Sequence, residues 1–396
     1  MEPHRGREGE GGPEEEGSTG AQGEAGRAWA AEGDEVNTLT VYRLGRVEYE
    51  DGLALMQRFA DARRQGLVGD SLLLLEHPPV LTLGRGAKRE NILASDEQLA
   101  AEGVEIFETN RGGDVTYHGP GQVVGYPIFL LPKPRQDVRR YVRDVEGCII
   151  RTLAEYGLEA GTIPKWPGVW LGGEGSPDAR KIAAIGVHIS RWLTTHGFAL
   201  NVNTHLPHFQ LIVPCGIREA GVTSMQRELG HIVSVPDLEE ALARHFTSVF
   251  ESERRDAEVS MRTVSVTVVR GQGPQARVLV LRRTAERGGF WQTITGRVEP
   301  GETPEQAAAR ELAEETGLNL PVRALDYRHA FALAELLPPR LAEETAFATW
   351  CPEGQEARLG PEHDAHEWLE APAALQRLPF QGLREGVKRA LAAAGR

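Results

Sequence analysis

From Thr38 onward, short apolar runs alternate with longer segments whose apolar residues recur every three or four positions. Thr40-Val41-Tyr42-Arg43-Leu44 alternates like a strand, and Ser71 to Glu76 is a continuous apolar run suited to a buried strand. Tyr49 to Arg64 has helical spacing in Leu53, Leu55, Met56 and Phe59. Val138 to Tyr156 predicts a long helix with Val142, Val145, Ile149 and Leu153 on one side. Leu238 to Phe250 predicts another, with Pro236-Asp237 as its start signal. Strands and helices mixed without strict alternation imply an α+β or mixed α/β domain over residues 37–250. Glu251 to Glu258 is highly charged, with Ala257 its one apolar residue, and predicts a linker over 251–259. A fresh strand pattern then opens a second domain over 260–396: Val264 to Val269 and Val278 to Leu281, separated by Gly271-Gln272-Gly273-Pro274.

A length of 396 residues suits two hydrophobic cores. The net charge of −13 is uneven: residues 1–36 carry −7, leaving −6 for the rest. Those first 36 residues are rich in Gly, Glu and Ala and predict a disordered acidic tail. The near-neutral remainder offers no electrostatic footprint for nucleic acid. Three cysteines, Cys148, Cys215 and Cys351, form neither a disulfide framework nor a zinc pattern, which fits a reducing cytoplasm. The N-terminus lacks the apolar segment of a signal peptide, and the run Leu72 to Leu75 is far too short to span a bilayer. A cytoplasmic protein without a membrane partner is the expectation.

Three segments of the first domain carry chemistry. Arg111-Gly112-Gly113-Asp114-Val115-Thr116-Tyr117-His118 opens a glycine-rich loop able to approach a ligand closely. Lys181 stands at the edge of the apolar run Ile182-Ala183-Ala184-Ile185-Gly186-Val187. Cys215 lies between Pro214 and Gly216, where a tight turn would expose its thiol. A thiol is only a few per cent thiolate at neutral pH, and a neighbouring ammonium lowers its pKa. A lysine sharing that proton can accept and return it during acyl transfer. Taken singly, such a lysine is ordinarily a surface residue and such a cysteine a small buried hydrophobe.

The stretches LEHPPVLTLGR (75–85), RGGDVTYHGPGQ (111–122), KIAAIGV (181–187), HGFALNVN (196–203) and PCGI (214–217) followed by VTSM (222–225) are similar to the lipoyl(octanoyl) transferases of lipoate biosynthesis. The resemblance spans residues 38 to about 250 and implies the fold of biotin- and lipoate-protein ligases. It also implies octanoyl transfer from acyl carrier protein, through an acyl-cysteine, to a lysine of a lipoyl domain. Such acceptors are the lipoyl domains of 2-oxoacid dehydrogenase complexes and the glycine cleavage H protein; the transfer needs no cofactor. By that resemblance Cys215 is the nucleophile and Lys181 its proton partner. Arg111 to His118, Ala184-Ile185-Gly186 and Gly197-Phe198-Ala199 would line the acyl-substrate pocket. His188 stands where the family often has Arg.

In the second domain the pattern GRVEPGETPEQAAARELAEETGL begins at Gly296. Thr303-Pro304-Glu305-Gln306 is a capping-box helix start, and Gly317 a natural stop. Glu311, Glu314 and Glu315 fall at i, i+3 and i+4 on one helical face, where like charges repel unless a divalent cation sits among them. Every defining position resembles the Nudix box, which implies an α/β/α sandwich with a diphosphate-hydrolysing site. Glu311, Glu314 and Glu315 would hold Mg²⁺ or Mn²⁺, with Glu302 and Arg310 supporting the loop. Phe290 and Trp291 would be core residues or a stacking platform, and Glu362 to Glu367 a solvated loop. The small diphosphate substrate is nucleoside-like on this reading. Two alternatives stay open: a transferase carrying a non-catalytic Nudix module, and an ATP-dependent lipoate ligase.

Overall fold

The computed structural model describes residues 37–214, 220–333 and 340–394. The acidic tail 1–36 and Cys215 lie outside the described residues.

The first domain begins β1 (Thr38–Arg46), α1 (Tyr49–Arg64), β2 (Asp70–Glu76), β3 (Val80–Leu83), α2 (Asp96–Ala101) and β4 (Glu105–Glu108). It continues β5 (Val115–His118), β6 (Gln122–Ile128), α3 (Val138–Glu155), β7 (Ala160–Ile163), β8 (Trp166–Leu171) and β9 (Arg180–Ser190). It closes with β10 (Leu193–Asn201), β11 (Gly221–Val222), α4 (Met225–Leu229), α5 (Val235–Val249) and β12 (Glu253–Asp256). The large sheet runs β12-β1-β2-β6-β10-β9-β8-β7, with β11 parallel to β9, and a small sheet runs β4-β3-β5. Its mixture of parallel and antiparallel pairs matches the mixed α/β expectation. One face packs on α3 and α5 through Val145, Ile149, Leu242 and Phe246. The other packs on α1 through Leu55, Met56 and Phe59. The helical spacing of 49–64 is realised from end to end. The helix foreseen over 238–250 starts earlier, because Ser234 accepts a hydrogen bond from the Asp237 amide and caps it.

The second domain comprises β13 (Val259–Arg270), β14 (Arg277–Arg283), β15 (Trp291–Gln292), β16 (Ile294–Arg297), α6 (Pro304–Thr316) and β17 (Arg323–Leu333). It ends with β18 (Arg340–Trp350), β19 (His363–Glu370), α7 (Ala371–Arg377) and α8 (Gln381–Ala394). Its sheet, β15-β14-β13-β18-β17, has β16 on β13 and β19 on β14. Val264, Val266 and Val268 bury one face with Leu312 of α6, while Val278 and Val280 bury the other with Leu383 and Val387 of α8. That is the α/β/α sandwich. Among the described residues no helix is long and apolar enough to cross a membrane.

The charged stretch foreseen as a linker is not a free connector. Residues 253–256 form β12, parallel to β1 at the edge of the first sheet. Charges suit an edge strand, and here Arg254 and Asp256 are paired. Arg254 donates to both oxygens of Glu240 at 2.6 Å, and Arg43 to Asp256 at 2.7 Å. Of the polar cluster foreseen as a loop, Glu362 lies in a turn, whereas Asp364 and Glu367 stand on β19.

Candidate active sites

Lys181 is buried, on β9 opposite Val222 of β11, with its ammonium 4.8 Å from the centre of the Trp170 ring. A cation over an indole face is favoured electrostatically, so the charge tolerates burial there. Lys181 lines a small cavity with Thr116, Gln122, Ala184, Ala199, Asn201 and Pro214, the residue preceding Cys215.

A hydrogen-bonded chain runs behind this cavity. Arg111 donates to the Thr82 hydroxyl through Nε at 3.1 Å and Nη2 at 2.8 Å. Thr82 lies 3.4 Å from His118 Nε2, and His118 Nδ1 is 2.7 Å from Gln122 Oε1. Gln122 Nε2 donates to Asn201 Oδ1 at 2.9 Å, Asn201 Nδ2 to the Thr223 carbonyl, and the Thr223 amide to the Lys181 carbonyl. Burial, with the His77 ring and the Arg111 charge, holds His118 well below the ordinary histidine pKa. His118 is therefore neutral, donating through Nδ1 to Gln122 and accepting at Nε2 from Thr82.

The glycine-rich loop divides its residues between ligand-facing and structural duties. Thr116 faces the lysine cavity, while Val115 and Tyr117 enter the core of the small sheet. Asp114 clamps the loop, accepting from the Lys88 amide and the Asn91 side chain. Gly112 and Arg111 close over Gly186: a Cβ there would lie 3.0 Å from the Gly112 carbonyl oxygen and 3.2 Å from Arg111 Cδ. Gly113 stands in the left-handed region at φ +86°. Ala184 and Ala199 face the cavity, whereas Ile185 and Phe198 pack on the α3–α5 side. Gly197 abuts Gly125 of β6. Alternation along β9 and β10 splits those two triplets between faces.

A larger cavity, about 540 Å³, lies on the same face beyond Arg111. Leu53, Met56 and Ala60 of α1 line it with Asn110, His188 and His196. Sequence reasoning missed these helix positions, because a lining stripe and a core stripe share one periodicity. His196 Nε2 is 2.6 Å from Asn110 Oδ1, and burial drives its pKa down to about 3, so it too is neutral.

In the second domain Thr303 and Gln306 form the capping box and Gly317 ends α6, as the sequence implied. Arg310 grips Glu302 with two bonds of 3.0 Å, and reaches Glu311 at 2.8 Å and Glu314 at 3.2 Å. The Glu311 carboxylate crosses directly over Gly296, where any Cβ would collide with it. Glu315 is buried, and its Oε2 has no hydrogen-bond partner among the described residues. Burial first, then the charges of Glu311 and Glu362, push its pKa up to about 8 against the opposing Arg283. Glu314 stands at the rim, 60% exposed. Among the described residues no three potential ligands lie close enough to hold an ion as they stand. The donor set nevertheless fits a hard cation: an unsatisfied buried oxygen and carboxylates that raise one another's pKa are what a divalent ion would relieve. Trp291 is half-buried against the α7 cluster, with Arg377 4.8 Å from its ring centre.

Comparison with known proteins agrees with this division. Residues 48–247 match the model of the lipoyl protein ligase A/B catalytic domain, and 259–390 that of the NUDIX domain. An octanoyltransferase of Myxococcus xanthus is 72% identical over 90% of this chain and 100% of its own length. The chain belongs to the octanoyltransferase family. It is a bifunctional enzyme of that family, joined to a Nudix hydrolase domain, and the Myxococcus relative spans both parts. The octanoyltransferase of Solibacter usitatus, 54% identical, aligns over 53% of this chain and 92% of its own. Among solved structures, the E. coli dihydroneopterin triphosphate pyrophosphohydrolase is 27% identical over 35% of this chain and all of its own, with a TM-score of 0.31.

Proposed function

We propose that the first domain moves octanoyl from acyl carrier protein through a thioester on Cys215 to the lysine of a lipoyl domain. What supports this reading above all is the cavity that Lys181 and Pro214 line together. The Lys181 ammonium holds the Cys215 sulfur as a thiolate, and the thiolate attacks the donor thioester carbonyl. The carbon–sulfur bond to the carrier breaks, and the carrier thiolate leaves with the proton from Lys181. The acceptor amine then attacks acyl-Cys215 and gives its proton to Lys181, forming the amide and releasing the Cys215 thiolate beside the restored ammonium. Exchange between thioesters is nearly isoenergetic, so ATP is not required. The neutral His118–Gln122–Asn201 chain fixes the strands beneath the reacting groups, and the larger cavity between α1 and β10 receives the alkyl chain. Cys215→Ala is expected to abolish transfer and to lose the octanoyl adduct seen by intact mass after incubation with donor alone. Full activity would remove Cys215 from the mechanism.

For the second domain the reading is hydrolysis of a nucleoside-diphosphate-type small molecule. Nudix domains generally use divalent metals. Here Glu311, Glu314 and Glu315 would hold Mg²⁺ or Mn²⁺, which neutralises phosphate oxygens and activates water when bound. Arg310 holds two of those carboxylates in place and ties them to Glu302. A screen of nucleoside diphosphate derivatives with Mg²⁺ on the full chain tests it. Turnover lost in Glu314→Gln is the expected outcome; tight binding without turnover would instead make the domain a binding module.

A further inference from the structure

The two domains meet where the acyl site is built. Only two residues separate β12 in the first sheet from β13 in the second. Leu341 of β18 is buried in one cluster with Leu44, Leu55 and Met56, and Ala330 packs against it. Met56 also lines the larger cavity. Beside this apolar contact, Arg384 of α8 donates to Glu48 Oε1 at 3.2 Å, both side chains being partly buried.

Both partners are set for that contact. The Arg384 guanidinium is oriented by its own domain, donating through Nε to the Leu378 carbonyl at 2.7 Å and through Nη2 to the Pro379 carbonyl at 3.3 Å. Glu48 occupies the N-cap position of α1, yet its side chain makes no capping hydrogen bond. An N-cap acceptor ordinarily serves its own helix; this one is turned to the other domain. The next residue is Tyr49. Its ring stacks on His118 at 6.1 Å and packs on His77 at 4.9 Å.

We propose that the Nudix domain is a structural part of the transferase's acyl site, with Arg384 a positioning residue that acts through Glu48 and Tyr49 on the Arg111–His118 loop. The proposal rests on the reading of that loop as part of the acyl pocket. On this view the domains are joined because the second braces the first, independently of any shared metabolite.

The test is steady-state octanoyl transfer by the full chain. Arg384→Glu sets two carboxylates against each other and is expected to raise KM for the octanoyl donor by about tenfold, with kcat changed less than about twofold. Arg384→Met, which keeps the stem packing, should give a smaller rise. The swap Glu48→Arg with Arg384→Glu should restore most of the affinity. An unchanged KM in folded Arg384→Glu protein overturns the proposal, as does a loss that the swap fails to rescue. A lowered melting temperature with unaltered KM in both single variants also overturns it, leaving Arg384 only a structural group. Arg111→Ala in the same assay separates the two claims: if it leaves KM unchanged the acyl-site reading falls, and if it raises KM while Arg384→Glu does not, only the brace falls.

Discussion

The two sites treat buried polarity in opposite ways. Around Lys181, the side chains of Thr82, His118, Gln122 and Asn201 satisfy one another in a continuous chain, and the histidines are kept neutral. Around Glu315, carboxylates crowd one another and one buried oxygen stays without a partner among the described residues. A satisfied network rigidifies a site before substrate arrives, whereas unsatisfied charge makes a site depend on a compensating ion. The first arrangement suits acyl transfer between thiols and an amine, which needs positioned proton donors. The second suits phosphate chemistry, which needs concentrated positive charge.

The sharpest way to break this contrast is Lys181→Met. Transfer should fall by roughly 10²- to 10⁴-fold, and the pH midpoint for alkylation of Cys215 should rise, as measured with iodoacetamide. An unmoved midpoint would sever lysine from thiol. A paired experiment follows at smaller scale. Glu315→Gln should cut hydrolysis by roughly 10²-fold while raising the melting temperature of metal-free protein, because a strained carboxylate is lost. Gln122→Leu should do the reverse to the first domain, lowering stability by about 2 kcal/mol by stranding His118, Asn201 and the Tyr117 carbonyl. If both variants moved melting temperature in the same direction, the contrast would be mistaken.

Acid–base linkage gives a further test at Glu344, a fully buried carboxyl on β18 whose pKa burial raises to about 7 against a hydrogen bond from Ser265. Its folded pKa exceeds the unfolded value, so the folded state holds the extra proton between about pH 4.5 and 7. Its stabilising contribution is full below that window and lost as pH rises through it. Glu344→Gln should flatten the fall in stability by at most about 3 kcal/mol, read from chemical denaturation at pH 5 and pH 8. Equal slopes for both proteins would show that Glu344 does not titrate in this range.

How much of this was legible in the sequence depended on range. The α6 caps, Thr303, Gln306 and Gly317, were readable because capping is a local hydrogen-bond pattern. The spacing of Glu311, Glu314 and Glu315 was readable too, since 3.6 residues per turn fixes a common face. Burial was not: Glu315 is enclosed while Glu314 stands at the rim, a difference set by which side of α6 meets the sheet. In the first domain the motif stretches fall on the glycine-rich loop and on β9 and β10. Yet Phe198 and Ile185 turned out to face the core opposite the cavity, because strand alternation divides neighbours between faces. The stripe Leu53, Met56 and Ala60 looked like core and is also a cavity wall.

Charge pattern misled most at residues 251–259. Local composition says only that such a stretch avoids an apolar interior; it cannot say that Glu240, on the preceding helix, and Arg43, on the first strand, wait to pair with it. By itself the sequence determined the two-part order, the helices over 49–64 and 138–155, the caps of α6, and the chemistry-bearing residue types, because these follow from spacing and local bonding. Tertiary structure alone decided which side chains share a cavity, which histidines stay neutral, and that Arg384 of one domain meets Glu48 of the other. Those depend on contacts between segments tens to hundreds of positions apart, and no periodicity encodes them.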